Sequence, residues 1–153
     1  APRLYGVQLA DARRDPTLRD HRENLAHTAL TTLAARELGV YDRRAGDVRS
    51  TELGRIASHY YLTEASMATY AKHLKGDVDD VDVFRIFSLS SEFSRISTRN
   101  DELPEVRRLA DECPVPIRDP IEAGSGSAAA KINVLLQAYI SGLSLEGFNL
   151  MSE

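Results

Sequence analysis

The stretch STELGRIASHYYL, from Ser50 to Leu62, carries the strongest structural signal in the chain. Ser50 and Thr51 are good helix N-caps, because their hydroxyl oxygens can accept hydrogen bonds from backbone N–H groups of the first turn. The apolar residues that follow have the spacing of one helical face: Leu53, Ile56, Ala57 and Tyr60. The stretch therefore predicts a capped helix that packs this face into a small domain, and His59 is expected to be buried or interfacial.

Gly54 stands inside this predicted helix, where glycine costs about 1 kcal/mol relative to alanine. We therefore expect another backbone to approach the helix closely at this position. Thr63 is a second capping residue, and the apolar residues after it keep the helical spacing: Met67, Tyr70, Ala71 and Leu74. Two consecutive helices are predicted.

The residues before this stretch predict another helix. Asp15 and Pro16 are typical of a helix start, and the helix is expected to run to about Leu38, where Gly39 ends it. Its expected inner face contains Leu18, Leu25, Ala29 and Leu33.

A β-hairpin is predicted between this helix and Ser50. Val40-Tyr41 and Val48-Arg49 flank a polar turn that contains Gly46, which is the pattern of two short paired strands. The resulting order is helix, hairpin, helix, helix. Residues 1–76 therefore predict a winged-helix domain.

Gly76 interrupts the helical pattern, and a new series of helices is predicted after it. Apolar spacing indicates helices around residues 83–87 and 103–110, and a longer one over residues 128–141. The expected inner face of the longer helix is Ile132, Leu135, Leu136, Tyr139 and Ile140. Residues 77–153 predict the first part of an α-helical bundle, and the fold class of the chain is mainly α.

The composition is that of an ordinary globular chain, with 42% hydrophobic and 27% charged residues. No apolar run approaches the ~20 residues that a membrane-spanning helix needs, so no membrane partner is expected. Cys113 is the single cysteine and has no partner for an internal disulfide, which favours a reducing compartment. The sequence has neither an initiator Met nor a signal-peptide layout, and we interpret it as a piece of a longer polypeptide.

Charge is distributed unevenly along the chain, whose net charge is −4. Residues 1–75 carry a net charge of +3, and residues 76–153 carry −7. The first half could therefore face phosphate or an acidic protein surface, whereas the second half as a whole should not.

Four arginines are the candidate RNA-binding residues of the first half. Arg43 and Arg44 are predicted at the tip of the hairpin, and Arg49 and Arg55 on its second strand and the following helix. The alternative is a solvated hairpin whose arginines form ion pairs with Asp42 and Asp47. Direct base readout is not expected, because the helix carries aliphatic and tyrosine side chains instead of Asn or Gln.

Lys131 is the fifth candidate for RNA binding. It lies at the start of a helix whose inner face is apolar, so we expect its side chain to be exposed and able to meet phosphate.

No motif in the sequence predicts catalysis. The phosphate-binding pattern GxxxxGK[ST] is absent. The acidic run from Asp77 to Asp82 lacks the glycine that an EF-hand loop needs at its sixth position, and capping of the next helix explains it better. The histidines and the cysteine do not have zinc-site spacing. No catalytic residue, metal ligand or bound cofactor is therefore nominated in this chain.

Three segments resemble one protein family: STELGRIASHYYL, DVFRIFSLSSEF (82–93) and AAKINVLLQAYISGLSLEGFNLMSE (129–153). They are similar to the winged-helix domain and the first part of the helical bundle of the Brr-two family. This family comprises the spliceosomal U5 snRNP DExH-box RNA helicases of the Ski-like superfamily-two group. The segments APRLYGV and DPTLRDHRENLAHTAL resemble the beginning of the same domain in the N-terminal cassette, and ISTRNDE resembles the linker after the first bundle helix. Only the Gly- and Ser-rich loop over residues 119–127 departs from the family pattern.

The resemblance implies a parent enzyme, an ATP-dependent RNA helicase that unwinds U4/U6 snRNA during pre-mRNA splicing in the nucleus. ATP and Mg would bind its RecA domains, which the present chain lacks, so the chain alone would not be an enzyme. Its implied partners are the RecA domains of the same polypeptide, U4/U6 snRNA and the spliceosomal proteins of the U5 snRNP. The winged helix would bridge the RecA domains and the bundle around single-stranded RNA. The alternative is an independent winged-helix module that binds nucleic acid or protein.

Overall fold

The chain forms two compact units, residues 1–64 and residues 65–153. The structure, a computed structural model, describes Gly6, residues 13–124 and residues 128–152. The prediction of a mainly α fold with a short antiparallel hairpin is confirmed. The domain boundary between residues 76 and 77 stays a prediction.

The described part of the first unit contains α1 (Arg19–Ala35), β1 (Gly39–Asp42), β2 (Asp47–Ser50) and α2 (Glu52–His59). The strands are antiparallel, and Gly39 pairs with Ser50 at one end and Asp42 with Asp47 at the other. The segments APRLYGV and the residues up to 12 lie outside the described residues, except Gly6.

Helix α1 starts and ends a few residues inside the bounds expected from the sequence. Leu18 has a left-handed φ of 54°, so the helix begins at Arg19, although the Asp15 carboxylate still accepts hydrogen bonds from the N–H groups of Arg19 (2.8 Å) and His21 (3.1 Å). At the other end Glu37, with φ 59°, closes the helix. The N–H of Glu37 donates to the carbonyl of Ala34, and the N–H of Leu38 donates to the carbonyl of Leu33 (both 3.0 Å).

Thr51 caps α2 and Gly54 admits another backbone, as the sequence predicted, and both contact the residues that follow α1. The Thr51 hydroxyl accepts from Gly54 N–H (3.0 Å) and donates to the carbonyl of Glu37 (2.6 Å). A Cβ atom placed on Gly54 would lie 1.8 Å from the carbonyl oxygen of Leu38. The backbone of α2 therefore meets the backbone of the turn that joins α1 to β1, and only glycine fits at residue 54 without movement.

The described part of the second unit contains five further helices: α3 (Glu64–His73), which begins at the last residue of the first unit, α4 (Asp80–Ser88), α5 (Leu103–Glu112), α6 (Ala128–Ser141) and α7 (Phe148–Met151). A short 3-10 turn, Ser91–Phe93, follows α4. The Asp79 carboxylate accepts from Asp82 N–H (2.8 Å), which confirms that the acidic run caps α4.

The core of this unit lies between α5, α6 and α7. Its central residues are nearly or fully buried: Val106, Leu109, Val134 and Leu150. Partly buried residues from the connecting segments, including Cys113, Ile117 and Leu145, pack against them. The core therefore draws on residues spread over the second half of the sequence.

Helix α6 buries a different face from the one predicted. Ile132 is buried as expected, but Tyr139 is 88% exposed and Ile140 is also exposed. The buried face instead includes the polar residues Asn133 and Gln137. Gln137 accepts from Val115 N–H and donates to Val115 O, both at 2.9 Å, and it donates to Asn133 as well. Val115 satisfies the amide of Gln137, which in turn bonds to Asn133, and this is why the polar side chains can face inward.

Candidate nucleic-acid interface

Arg43 and Arg44 lie in the turn that joins β1 to β2, and both are exposed. The Asp42 carboxylate accepts hydrogen bonds from the backbone N–H groups of Arg44 (2.8 Å) and Ala45 (3.1 Å). Gly46, with φ 71°, completes the turn. Asp42 thus holds the backbone of the turn, and no described residue forms an ion pair with the guanidinium groups of Arg43 and Arg44.

Arg49 lies on β2 directly opposite Val40. Its Nε atom is 3.0 Å from the carboxylate of Asp47, and both side chains are largely exposed. A pair so exposed contributes about 0–1 kcal/mol and releases its arginine easily. Of the two acidic partners expected for the hairpin arginines, Asp47 is therefore confirmed, whereas Asp42 bonds to the backbone.

Arg55 lies on the exposed side of α2 beside a shallow depression of about 480 Å³. The depression is lined by Glu52, Arg55, Ile56, His59 and Tyr60. Within the described residues Arg55 has no ion-pair partner. Three of the four candidate arginines, two on the hairpin turn and one on α2, therefore have no ion-pair partner among the described residues, and their charges are available to a ligand.

The end of α2 exposes aromatic residues that were expected to be packed. Tyr60 is 66% exposed, and His59 is exposed too, with its ring edge-on to Tyr60 at 4.8 Å between centroids. The expectation of a buried His59 and a packed Tyr60 is therefore wrong within the described residues, whereas an interfacial His59 stays a prediction. Helical spacing identified the face correctly, but the described residues do not cover it.

Tyr61 was not singled out from the sequence, yet it is the most unusual residue of this region. It has a left-handed φ of 55° and closes α2, because Leu62 N–H bonds back to Ala57 O (2.9 Å). Glycine is the usual residue at such a position, and a side chain there costs about 1 kcal/mol. The ring is 91% exposed, so burial does not offset this cost. Two consecutive tyrosines at a helix end, where glycine is usual, are the signal that sequence reasoning could have used.

Lys131 is not at the surface, and its expected exposure is wrong. Its side chain has 0% relative exposure, and its ammonium group lies 2.7 Å from the Glu102 carboxylate and 3.0 Å from the carbonyl of Ser97. Glu102 is also buried and accepts from Arg99 N–H (3.0 Å). The sequence could not indicate this, because the acidic partner is far away along the chain. Lys131 is therefore part of a buried ion pair that ties α6 to residues 97–102.

The pKa of the Glu102 carboxyl is shifted in opposite directions by burial and by its hydrogen-bond and charge partners. Burial is the largest and raises its pKa, but the hydrogen bonds from Lys131 and Arg99 N–H and the nearby positive charges together outweigh it. The pKa of Glu102 therefore lies below its ordinary value, and the pair is ionised at neutral pH.

The described part of the chain contains neither a candidate metal site nor a candidate membrane-spanning helix. There, no three His, Cys, Asp or Glu side chains come together as a metal site would require. None of the described helices is both long enough and apolar enough to cross a membrane.

Residues 50–153 match the family model of the Sec63 Brl domain. This chain belongs to the Sec63 Brl domain family. The match begins at the STELGRIASHYYL stretch and includes α2, the buried ion pair and the core of the second unit. Of the candidate RNA-binding residues, Arg55 and Lys131 lie within the Sec63 Brl match, whereas Arg43, Arg44 and Arg49 precede it.

Curated relatives place this Sec63 Brl segment among helicases. The chain is 51% identical over 152 residues to the U5 small nuclear ribonucleoprotein 200 kDa helicase of Drosophila melanogaster. It is 46% identical over 153 residues to the helicase of the same name in Homo sapiens, and 47% identical over 152 residues to the Arabidopsis thaliana DExH-box ATP-dependent RNA helicase DExH12. These matches cover 99–100% of the chain but only 7% of each relative. The chain is therefore a helicase-associated Sec63 Brl segment, and its resemblance to the U5 snRNP helicases is confirmed.

Proposed function

We propose that this chain is a scaffold segment of an ATP-dependent RNA helicase of the U5 snRNP, which unwinds U4/U6 snRNA in pre-mRNA splicing in the nucleus. The observation that carries the proposal is the 46–51% identity to U5 snRNP 200 kDa helicases over nearly the whole chain. ATP and Mg would bind the RecA domains of the same polypeptide. The winged-helix domain of the segment would bridge those domains and the helical bundle around single-stranded RNA, next to the other spliceosomal proteins of the U5 snRNP.

The exposed apolar side chains of the first unit support a bridging role. Large apolar residues of α1, the hairpin and α2 remain at least one-third exposed: Leu25, Leu33, Val40, Val48, Leu53 and Ile56. So much apolar surface in a unit of this size is typical of a segment that another domain covers. The partner that we propose for this surface is the RecA domains of the same polypeptide.

A chimeric helicase would test the scaffold role. This chain replaces the matching 152 residues of the Drosophila relative, and unwinding of an RNA duplex is measured with ATP. We expect the chimera to retain unwinding, because the scaffold would dock as the native segment does. Leu53→Asp should abolish unwinding by charging the docking surface, while Ser58→Asp, at an exposed polar position on the same helix, should not. A chimera that is folded but inactive, or an active Leu53→Asp chimera, would contradict the proposal.

The second candidate function is an independent winged-helix module that binds nucleic acid, and the arginines without ion-pair partners favour it. It is distinguished by measuring RNA binding of the isolated chain at two salt concentrations. A free-standing binder should bind tightly, with an affinity that falls steeply with salt and drops in the triple variant Arg43→Ala, Arg44→Ala, Arg55→Ala. The scaffold segment should bind weakly, because the arginines would provide only auxiliary phosphate contacts.

A further inference from the structure

The C-terminal end of α2 forms a small aromatic and basic surface, which we call the α2 end surface. It consists of Arg55, His59, Tyr60 and Tyr61. The first three line one depression, and Tyr61 follows directly in the chain. All four side chains are exposed, and Arg55 has no acidic partner among the described residues.

Tyr61 indicates that this surface has a use. Its backbone adopts a conformation that glycine adopts without strain, yet the residue is a tyrosine whose ring is almost fully in water. Glu37 occupies the same position at the end of α1, but its charged side chain is well solvated there. A bulky residue held in a strained conformation, with no packing to offset the strain, is a reason to look for a ligand.

We propose that the α2 end surface binds single-stranded RNA, with bases stacked on Tyr60 and Tyr61 and a phosphate held by Arg55. Every base has a flat π-face, so exposed tyrosine rings can bind a strand without reading its sequence. The His59 ring lies at a right angle to the Tyr60 ring, with 4.8 Å between their centroids, so a further aromatic group stands beside the stacking surface. The inference rests on the proposed function, since it assigns a base contact to the segment that surrounds the strand.

The charges of the surface favour RNA over a peptide ligand. Arg55 supplies a cation without an internal partner, whereas Glu52 is the one acidic residue lining the depression. The surrounding first half of the chain has a net charge of +3, which suits a polyanion. Aromatic grooves also bind proline-rich peptides, and such a peptide is therefore a competitor in the test.

The test compares two ligands for the 153-residue chain that differ only in their bases. One is an oligo-uridylate of about ten nucleotides, and the other is an abasic strand of equal length and charge. Binding is followed by fluorescence anisotropy of the labelled strands. We expect the base-containing strand to bind about tenfold more tightly, because stacking requires bases whereas phosphate contacts do not.

Tyr61→Gly separates binding from folding. Glycine relieves the left-handed backbone, so the variant should unfold at the same or a higher denaturant concentration than the wild type, yet lose most of the preference for bases. Glu37→Gly is the matched control, because it relieves the same strain at the end of α1 and should leave RNA binding unchanged. Tyr60→Ala should also lower the preference for bases.

Each outcome has a defined meaning. Equal binding of the two strands by the wild-type chain would overturn the stacking proposal, as would an undiminished base preference in both Tyr60→Ala and Tyr61→Gly. Tight binding of a proline-rich peptide that displaces RNA from the wild type, but not from Tyr61→Gly, would assign the surface to protein instead. The variant Arg43→Ala, Arg44→Ala should weaken both strands equally. A chimera that does not unwind RNA, together with an intact base preference of the 153-residue chain, would refute the scaffold role but not the stacking of bases on the α2 end surface.

Discussion

The two units of the chain are stabilised in different ways. In residues 65–152 the described core contains fully buried Val106, Leu109 and Val134, together with an ion pair that is itself buried. In residues 13–64 the buried apolar residues among those described are Leu38 and Ala57, and α1 buries none of its side chains. In the first unit a backbone contact at Gly54 and the hydrogen bonds of Thr51 instead link the start of α2 to the turn after α1.

The contrast between a buried core in the second unit and exposed apolar residues in the first indicates different roles for the two units. A unit with a core of its own can hold its shape alone, whereas a unit with exposed apolar faces is suited to being covered by other domains. The same contrast predicts that a mutation in one unit lowers the local stability of that unit and leaves the other unchanged. Amide hydrogen exchange, followed separately in each unit, measures this local stability.

The largest expected effect is that of Lys131→Met in the second unit. The variant leaves the Glu102 carboxylate buried without its cation, which should cost about 3–5 kcal/mol of the free energy of unfolding. Protection of amides in α6 and α5 should fall, while protection in α2 should not change. The double variant Lys131→Met, Glu102→Gln is the control and should recover much of the loss. A loss below about 1 kcal/mol in the single variant would mean that the pair is not buried as described.

A matched pair of leucine truncations tests the comparison directly. Leu109→Ala should destabilise the second unit by about 3 kcal/mol, because it opens a cavity in a fully buried core. Leu25→Ala removes the same atoms from a side chain that is 58% exposed and should change the stability of the first unit by less than about 0.5 kcal/mol. Urea denaturation followed by hydrogen exchange measures both. Equal losses in the two variants would remove the contrast between the units.

Gly54→Ala tests the backbone contact of the first unit. The new Cβ would overlap the carbonyl oxygen of Leu38, and relieving the overlap requires movement of α2 or of the turn after α1, at a cost of about 2 kcal/mol. Gly76→Ala is the matched control, because no atom lies within 4 Å of the position of its Cβ. The loss should appear as faster exchange of amides in α2. If Gly54→Ala is as stable as Gly76→Ala, α2 does not meet the backbone at Leu38 so closely.

Local signals in the sequence predicted local structure well. The cap at Thr51, the close approach at Gly54, the hairpin with its turn and the acidic cap of α4 all depend on residues within a few positions of each other. Such features follow from side-chain chemistry and backbone geometry alone, so a single sequence is sufficient to infer them.

Features that depend on distant residues were not predictable in this way. Lys131 was expected at the surface because its pairing with Glu102 joins positions 29 apart in the sequence. The inward face of α6 was misjudged because Gln137 is satisfied by Val115, which is 22 residues away. Hydropathy assigns both polar residues to the surface, and only the tertiary contacts reverse that assignment. The candidate RNA contacts at Arg43, Arg44, Arg49 and Arg55 stay predictions.

Thr51→Ala removes the side-chain link at the corner of the first unit without introducing a clash. It leaves the N–H of Gly54 and the carbonyl of Glu37 without this hydroxyl partner, and loss of an N-cap costs about 1 kcal/mol. Thr51→Ser keeps the hydroxyl and is the control. Fraying of the first turn of α2, seen in its amide exchange, is the expected signature. An unchanged first turn in Thr51→Ala would show that the backbone contact alone holds the corner.

The smallest expected effect is a pH dependence that belongs to the second unit alone. Because the pKa of Glu102 is lowered in the folded chain, its ionised pair contributes stability above the ordinary glutamate value of 4.5. That contribution should be lost as the pH falls from this value through the lower folded pKa, since protonation removes the partner of Lys131. The free energy of unfolding should therefore depend more steeply on pH in the wild type than in Glu102→Gln over this acidic range. The first unit, which lacks this pair, should show equal slopes in both proteins. A Glu102→Gln variant with the wild-type slope in the second unit would mean that the carboxyl is not stabilised in its ionised form by Lys131.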